Sequence, residues 1–234
     1  MIELPPATRT FYLVRHGQTD WNVQFRWQGH TDIPLNEIGR EQARLLAGAL
    51  RDIPFDRAVS SDSIRAVETI KIALGDRPIE VETDPNLREF NAGAFEGLTW
   101  DEIRAQYPDA VTRMNSDWFG FVFPGGESRG QMAERAAAAV QRLLDDGRGS
   151  HILIGAHGMS VRGILHHHFP QVVAHPMDLQ WIENTFRPPQ INVERPRQTA
   201  GVPYSVRIGL PALACYSTFG RTGRSSSKSV SIRA

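Results

Sequence analysis

Two short apolar runs of this chain each end in a histidine followed by a glycine, and they constrain the fold strongly. The first run covers residues 10–14 and leads into Arg15-His16-Gly17, and the second covers 150–156 and leads into His157-Gly158. Short apolar runs that stop at polar turn residues predict buried strands. Open α/β sheets bind ligands at the carboxyl ends of their strands. The pattern therefore predicts that both histidines lie at one rim of a sheet.

Strand and helix patterns alternate along most of the chain. The sequence predicts strands at 10–15, 55–60, 78–83 and 150–156, and helices at about 36–51, 61–74, 99–106, 128–146 and 160–169. This alternation predicts an α/β fold, with a doubly wound, mostly parallel sheet and helices on both faces. Residues 84–130 break this alternation of strands and helices, and their pattern predicts a helical and aromatic insertion over the site.

Composition argues against binding to nucleic acid or to a membrane and for a reducing compartment. Lys+Arg and Asp+Glu both total 26, so no net field draws the chain to nucleic acid or to a membrane. Cys215 is the only cysteine, which excludes an internal disulfide and fits a reducing compartment. The first residues lack the pattern of a signal peptide, and no apolar stretch is long enough to span a bilayer. We expect a cytoplasmic monomer or homodimer.

The last part of the chain has a different composition. From Arg195 onward there are seven Lys or Arg residues and no Asp or Glu. We predict a domain over 1–194 and a basic, Ser-rich tail over 195–234, either disordered or acting as a binding arm. Residues 191–194 and 204–208 could pair as a hairpin at the sheet edge, although the prolines around them disfavour it.

Candidate catalytic residues occur at four separate places in the sequence. Arg15 and His16 end the first strand, Arg65 lies in the first turn of a helix, and His157 ends a later strand. Imidazole and guanidinium groups at one rim suit nucleophilic attack on phosphorus with the non-bridging oxygens held by positive charge. Glu89 could donate a proton to the leaving oxygen. Each residue alone has an ordinary structural explanation, but their joint occurrence favours a site.

The flanking residues extend these places into longer motifs. They comprise Trp21-Asn22 after the first motif, residues 28–35 and 39–43, Ser60-Ser61 with Arg65-Ala66 and Glu68-Thr69, Glu89 with Gly93 and Phe95-Glu96-Gly97, and Ala156-His157-Gly158. In this order they resemble the histidine phosphatase superfamily, the phosphoglycerate mutase-like proteins. The resemblance covers residues 10 to about 185. It also implies the α/β fold of the phosphoglycerate mutase-like proteins.

The resemblance implies a catalytic role for five residues. His16 would form a phosphohistidine, while Arg15, Arg65 and His157 would bind the phosphoryl group. Glu89 would act as the proton donor and then activate water in the second step. The chemistry would need no metal and no cofactor.

The resemblance also implies a substrate side, lined by Asn22, Gln28 and Gly29. Mutases of this family carry a basic and tyrosine-bearing segment just after the acid, whereas residues 90–95 here hold no cation. This difference favours a phosphatase acting on phosphate monoesters of small metabolites over a cofactor-dependent phosphoglycerate mutase. The third alternative, an inactive binding module, would need a broken site, whereas all five expected catalytic residues are present in the sequence. The aromatic run at 118–123 is either a lid that selects an organic phosphate or ordinary packing.

Overall fold

A mostly parallel sheet between two layers of helices confirms the predicted α/β fold. The computed structural model describes residues 9–168, 193–194 and 204–209. The strands are β1 (Arg9–Arg15), β2 (Arg57–Ser60), β3 (Val81–Thr83), β4 (His151–Ala156), β5 (Val193–Glu194) and β6 (Tyr204–Gly209). Their order across the sheet is β3-β2-β4-β1-β6-β5. Only the pairing of β5 with β6 is antiparallel.

Seven helices lie within the described residues. They are α1 (Asp20–Val23), α2 (Glu37–Ala49), α3 (Ile64–Leu74), α4 (Trp100–Gln106), α5 (Pro108–Ser116), α6 (Arg129–Asp145) and α7 (Gly158–His168). The predicted caps of two helices are confirmed, because the side chain of Asn36 accepts from the backbone of α2 and Ser128 forms a capping box with Gln131 on α6. Gly75 ends α3 with a φ of 60°.

The predicted starts of two helices are wrong. Helix α3 begins at Ile64, and its first backbone N–H donates to Asp32 Oδ1 at 2.8 Å, so the cap predicted at Ser61-Asp62 comes instead from a distant residue. Helix α7 begins at Gly158, two residues before the predicted start. The reason is that Ser160 Oγ accepts a hydrogen bond from the backbone N–H of His157 at 2.9 Å, which caps the helix directly after the strand.

The two faces of β1 bury alternate side chains, as a central strand requires. Phe11 and Leu13 belong to one core, which includes apolar residues of α6 and α7 and of the insertion. Tyr12 and Val14 belong to a second core, formed with α2 and α3. Burial of each such large side chain contributes about 1.5–3 kcal/mol, so both layers hold the strand in place.

The aromatic run of the insertion is mostly packing. Phe121 and Phe123 are 8% and 1% exposed, and the Phe123 ring stacks on Phe90 with centroids 5.0 Å apart. The guanidinium group of Arg129 lies 4.4 Å from the Trp118 ring centroid and 4.9 Å from that of Phe123. These contacts fix the run over the start of α6, so for its buried rings they favour ordinary packing over a lid.

A short hairpin follows the main part of the described chain. β5 pairs antiparallel with β6, with Val193 opposite Val206, and β6 pairs parallel with β1. The strand predicted at 204–208 is therefore not the edge strand, because β6 covers the open edge of β1 and leaves β5 outermost. The rest of the 195–234 segment, including Cys215, lies outside the described residues, and the division at 194 stays a prediction. Within the described part, no helix has the length and apolar character needed to cross a membrane.

Candidate active site

The two histidines lie together at the carboxyl ends of neighbouring strands. β1 and β4 pair in parallel, with Arg15 opposite Ala156, so His16 and His157 follow at the same height. The backbone N–H of His16 donates to Ala156 O at 3.1 Å, which continues the ladder to the rim. The ring centroids of the two histidines are 5.0 Å apart. The structure thus brings these side chains together.

The His16 ring is buried and held in one tautomer. Its Nδ1 lies 2.7 Å from Gly17 O. Because a carbonyl oxygen can only accept, Nδ1 carries the proton and Nε2 keeps a lone pair. Burial lowers the pKa of His16 well below its ordinary value of 6.5, and the guanidinium groups of Arg65 and Arg15 lower it further. At neutral pH the ring is therefore neutral, as a nucleophile must be.

Arg65 is a completely buried cation in the first turn of α3. Its Nη1 donates to Thr31 O at 2.9 Å and its Nη2 to Gly29 O at 2.8 Å. Burial lowers the pKa of Arg65, and the carboxylate of Glu89 is the largest opposing influence. The Nε atoms of Arg65 and Arg15 are both buried without a hydrogen-bond partner among the described residues. Buried donors without partners are rare, and an anion would satisfy them.

His157 faces the same place from the start of α7. Its Nε2 lies 2.8 Å from Ser61 Oγ, and its Nδ1 is buried without a partner in the described part of the chain. Burial lowers the pKa of His157 well below the ordinary 6.5, with Arg65 the next cause, so this ring is neutral too. If the Ser61 hydroxyl donates to Nε2, the proton of His157 is on Nδ1 and free for a ligand. The site analysis from sequence missed Ser61, although Ser60-Ser61 is part of the second motif.

Glu89 is held by two backbone donors, one at the amino end of α7 and one in the residue that directly follows Glu89. Its Oε2 accepts from the backbone N–H of Met159 at 2.9 Å and its Oε1 from that of Phe90 at 3.1 Å. A methyl group added at Gly158 would lie 3.6 Å from Arg15 Nε and 3.8 Å from Glu89 Oε2. The carboxylate and the first arginine therefore approach the same glycine, next to His157.

The three residues predicted to line the substrate side differ in their placement. Gly29 is in the site, because its carbonyl accepts from Arg65. Gln28 has a buried Oε1 without a partner among the described residues. Asn22 completes a capping box with Thr19, the N-cap of α1, and its Oδ1 accepts from the backbone N–H and the hydroxyl of Thr19, both at 3.0 Å. That oxygen is therefore used locally, and none of the described hydrogen bonds joins Asn22 to the histidines or arginines.

Glu96 is a structural residue of the site that sequence reasoning did not single out. Its carboxylate accepts from the backbone N–H groups of His30 at 2.8 Å, Thr31 at 2.9 Å and Ala92 at 3.1 Å. It therefore fixes the loop whose carbonyls receive Arg65. The sequence signal that could have identified Glu96 is its position between Phe95 and Gly97, in the motif that follows Glu89.

The charges of the site suit an anion. The buried guanidinium group of Arg65, the half-buried one of Arg15 and two neutral imidazoles converge at the strand ends, while the described residues contain no group of three or more His, Cys, Asp or Glu side chains placed to hold a metal ion. Fold and site together define an α/β protein with a histidine- and arginine-lined candidate site for an anion at the rim of a parallel sheet.

Comparison with known proteins then gives the family. The family profile described as "Histidine phosphatase superfamily (branch 1)" matches residues 11–186. The chain belongs to that superfamily, which confirms the resemblance found in the sequence. Phosphoglycerate mutase-like protein 4 of Arabidopsis thaliana is 37% identical over 155 residues, which are 65% of this chain and 67% of that protein.

Solved structures of phosphatases share the fold. A mycobacterial glucosyl-3-phosphoglycerate phosphatase in complex with VO3 is 32% identical, with a TM-score of 0.62 over 70% of this chain and 83% of that one. The alpha-ribazole phosphatase of Shigella flexneri is 28% identical, with a TM-score of 0.64 over 73% of this chain and 83% of that one. The superfamily and these relatives together support an enzyme of the phosphatase or mutase type.

Proposed function

We propose that the protein is a phosphatase that hydrolyses phosphate monoesters of small metabolites through a phosphohistidine on His16. The observation that carries this proposal is the hydrogen bond from His16 Nδ1 to Gly17 O at 2.7 Å, in a ring whose pKa is held low by burial. It leaves Nε2 unprotonated, in a ring that lies within the field of Arg65 and Arg15.

In the first step, the lone pair of His16 Nε2 forms a bond to phosphorus and the bond from phosphorus to the ester oxygen breaks. Arg15 and Arg65 hold the non-bridging oxygens, where charge accumulates in the transition state. The protonated carboxyl group of Glu89 gives its proton to the leaving oxygen, so the alcohol departs neutral. Gly17 O then stabilises the positive imidazole ring through the proton on Nδ1.

In the second step, the Glu89 carboxylate takes a proton from a water molecule as its oxygen attacks phosphorus. The bond between phosphorus and Nε2 breaks, inorganic phosphate is released and His16 returns to its neutral form. Glu89 ends protonated, ready for the next turnover. The positive charge in both steps comes from side chains of this chain, and we therefore propose that turnover needs no metal.

A phosphoglycerate mutase is the alternative, favoured by the name of the Arabidopsis relative. Such an enzyme needs further cations for the second anionic group of its substrate. The segment that follows the acid here has none, and its Phe90, Ala92 and Phe95 are buried. Arg88, just before the acid, is bound by both oxygens of Asp62 at 2.6 Å. The intact geometry of the catalytic residues also argues against an inactive binding module.

The test is a turnover assay in excess chelator. We would supply a panel of phosphate monoesters, and separately 3-phosphoglycerate with 2,3-bisphosphoglycerate, and measure free phosphate and 2-phosphoglycerate. The proposal predicts phosphate release from monoesters without isomerisation. Rapid isomerisation with little phosphate would make the protein a mutase, and loss of all phosphate release in chelator would overturn metal independence.

A further inference from the structure

We infer that Arg135 is a positioning residue for catalysis, because its guanidinium group fixes the backbone on both sides of Glu89. The inference rests on the proposed function, in which Glu89 is the proton donor. Arg135 lies on α6, outside the motifs that carry the chemistry, and its hydrogen bonds within the described residues go to the backbone carbonyls of residues 86, 88 and 89 and to the Glu127 carboxylate.

The first half of the contact is with the chain that leads into Glu89. Arg135 Nη1 donates to Asn86 O at 2.7 Å and to Arg88 O at 2.9 Å, and Nη2 donates to Glu89 O at 2.7 Å. Asn86 lies in a 3₁₀ turn, Pro85–Leu87, and Arg88 and Glu89 lie in the irregular segment that follows it. Among the described residues, no backbone N–H donates to these three carbonyls, so side chains take the place of a regular ladder: Arg135 at all three, and His30 Nε2 at Glu89 O, 3.0 Å away.

The second half runs through Glu127. Arg135 Nε donates to Glu127 Oε2 at 3.0 Å and Nη2 donates to Glu127 Oε1 at 2.6 Å, which is a bidentate pair. The same Oε1 accepts from the backbone N–H of Asn91 at 2.8 Å. The pair therefore reaches the chain two residues after Glu89 as well. Arg135 thus donates five hydrogen bonds in all, one from each N–H of its guanidinium group.

The side chain of Glu89 has no such clamp of its own. Within the described part of the chain, its oxygens accept from the backbone N–H groups of Phe90 and Met159 and from no other donor. The carboxyl group can keep its place beside His157 only if the backbone at 86–91 stays fixed relative to α7. A misplacement of about 1 Å in a catalytic group can cost about 10²-fold in rate, so the clamp bears directly on proton donation.

An ammonium group cannot replace this clamp. Lysine carries three donors on one nitrogen and lacks the planar fork that serves carbonyls on one side and a carboxylate on the other. The Arg135→Lys variant keeps the charge and most of the side-chain length, and it removes the fork. It therefore separates positioning from electrostatics.

The experiment compares esters whose leaving groups need a proton to different degrees. Glycerol 2-phosphate has a strongly basic leaving oxygen, and 2,4-dinitrophenyl phosphate has a weakly basic one that departs without acid. We would measure kcat/KM, which reports the first step, for wild type, Arg135→Lys and the matched control Arg142→Gln. Arg142 lies on the same helix, is exposed and donates to Asp84 at 2.8 Å.

The inference predicts a selective loss. Arg135→Lys should lose about tenfold or more with glycerol 2-phosphate and less than about threefold with the dinitrophenyl ester, because acid assistance is worth about 10²–10⁴-fold only where the leaving group needs it. Arg142→Gln should match wild type with both esters. In a Glu89→Gln background, Arg135→Lys should cost nothing further, since the group that it positions is already gone.

An equal loss with both esters, no loss with either, or full additivity with Glu89→Gln would overturn the inference. Circular dichroism and thermal melting check that each variant is folded. If Arg135→Lys does not fold, Glu127→Gln, which removes the bidentate carboxylate and keeps its shape, must show the same selective loss. Failure of the proposed function is a different result, because wild type itself would then release no phosphate from any ester.

Discussion

The imidazole rings of His16 and His157 meet edge to face, with centroids 5.0 Å apart and planes inclined by 62°. Both rings are buried, at 5% and 0% exposure, and both lie within the field of Arg65. A proton on either ring would face a nearby cation and low dielectric. The arrangement therefore keeps two neutral imidazoles side by side, one with a lone pair at Nε2 and the other with an Nδ1 that has no partner among the residues the structure describes.

The first prediction concerns stability and pH. Burial lowers the pKa of His16 and of His157 in the folded state below the ordinary 6.5. The unfolded chain then binds protons that the folded protein does not, so the stabilisation is complete above pH 6.5 and is lost as the pH falls below it. The slope is at most about 1.4 kcal/mol per pH unit for each such histidine.

Urea denaturation between pH 7.5 and 5 measures this slope. The double variant His16→Gln with His157→Gln should flatten the curve, whereas replacing the exposed His167 by Gln should leave it unchanged. His30, whose pKa burial also lowers, contributes in the same direction and remains in both variants. A curve as steep in the double variant as in wild type would contradict the account of buried neutral rings.

The second prediction concerns Arg65. Replacing it by Lys removes the fork that binds Gly29 O and Thr31 O, so the free energy of unfolding should fall by about 1–3 kcal/mol. Loss of a preorganised donor at the phosphoryl group should lower kcat/KM by about 10²-fold. The control is Arg44→Lys, because Arg44 is an exposed residue of α2 that pairs with Glu37 and Glu41. This substitution should change stability and kcat/KM little. Equal effects of the two substitutions would argue against the role of Arg65.

The third prediction concerns Gly29. Its φ is +50°, and an added Cβ would collide with the Glu96 carboxylate that holds the loop. Gly29→Ala should therefore lose at least about 1 kcal/mol of stability from backbone strain alone, and activity with it. Gly48→Ala, at an α2 position where nothing lies within 4 Å of the new methyl group, should instead gain about 0.4–1 kcal/mol. Melting temperatures and monoester turnover check both, and a stable, fully active Gly29→Ala protein would be inconsistent with the tight fit.

Local patterns predicted the parts of this fold that depend on neighbours in sequence. The Asn36 cap and the Ser128 capping box are contacts within a few residues, and the continuous apolar run of β1 marks a strand that is buried on both faces. Position of His16 and His157 at one rim followed because parallel strands bring their carboxyl ends together.

Contacts between distant segments were not predictable from local pattern. The Asp32 carboxylate caps a helix that begins at Ile64, and Glu96 binds the backbone at 30–31. Arg135 reaches carbonyls about 46 to 49 residues before it. Such polar contacts depend on how the insertion folds back on the sheet, and neither hydrophobic periodicity nor a capping rule records that path.

The central claim is that His16 accepts the phosphoryl group, and trapping that intermediate tests it most directly. Wild-type protein would be mixed with its fastest monoester, quenched in alkali within one turnover and analysed by peptide mass spectrometry, beside His16→Ala and the control His167→Ala. The account predicts one phosphoryl group on His16 in wild type and in the control, stable to alkali and labile to acid, and neither label nor turnover in His16→Ala. Label on another residue, or normal turnover by His16→Ala, would contradict it.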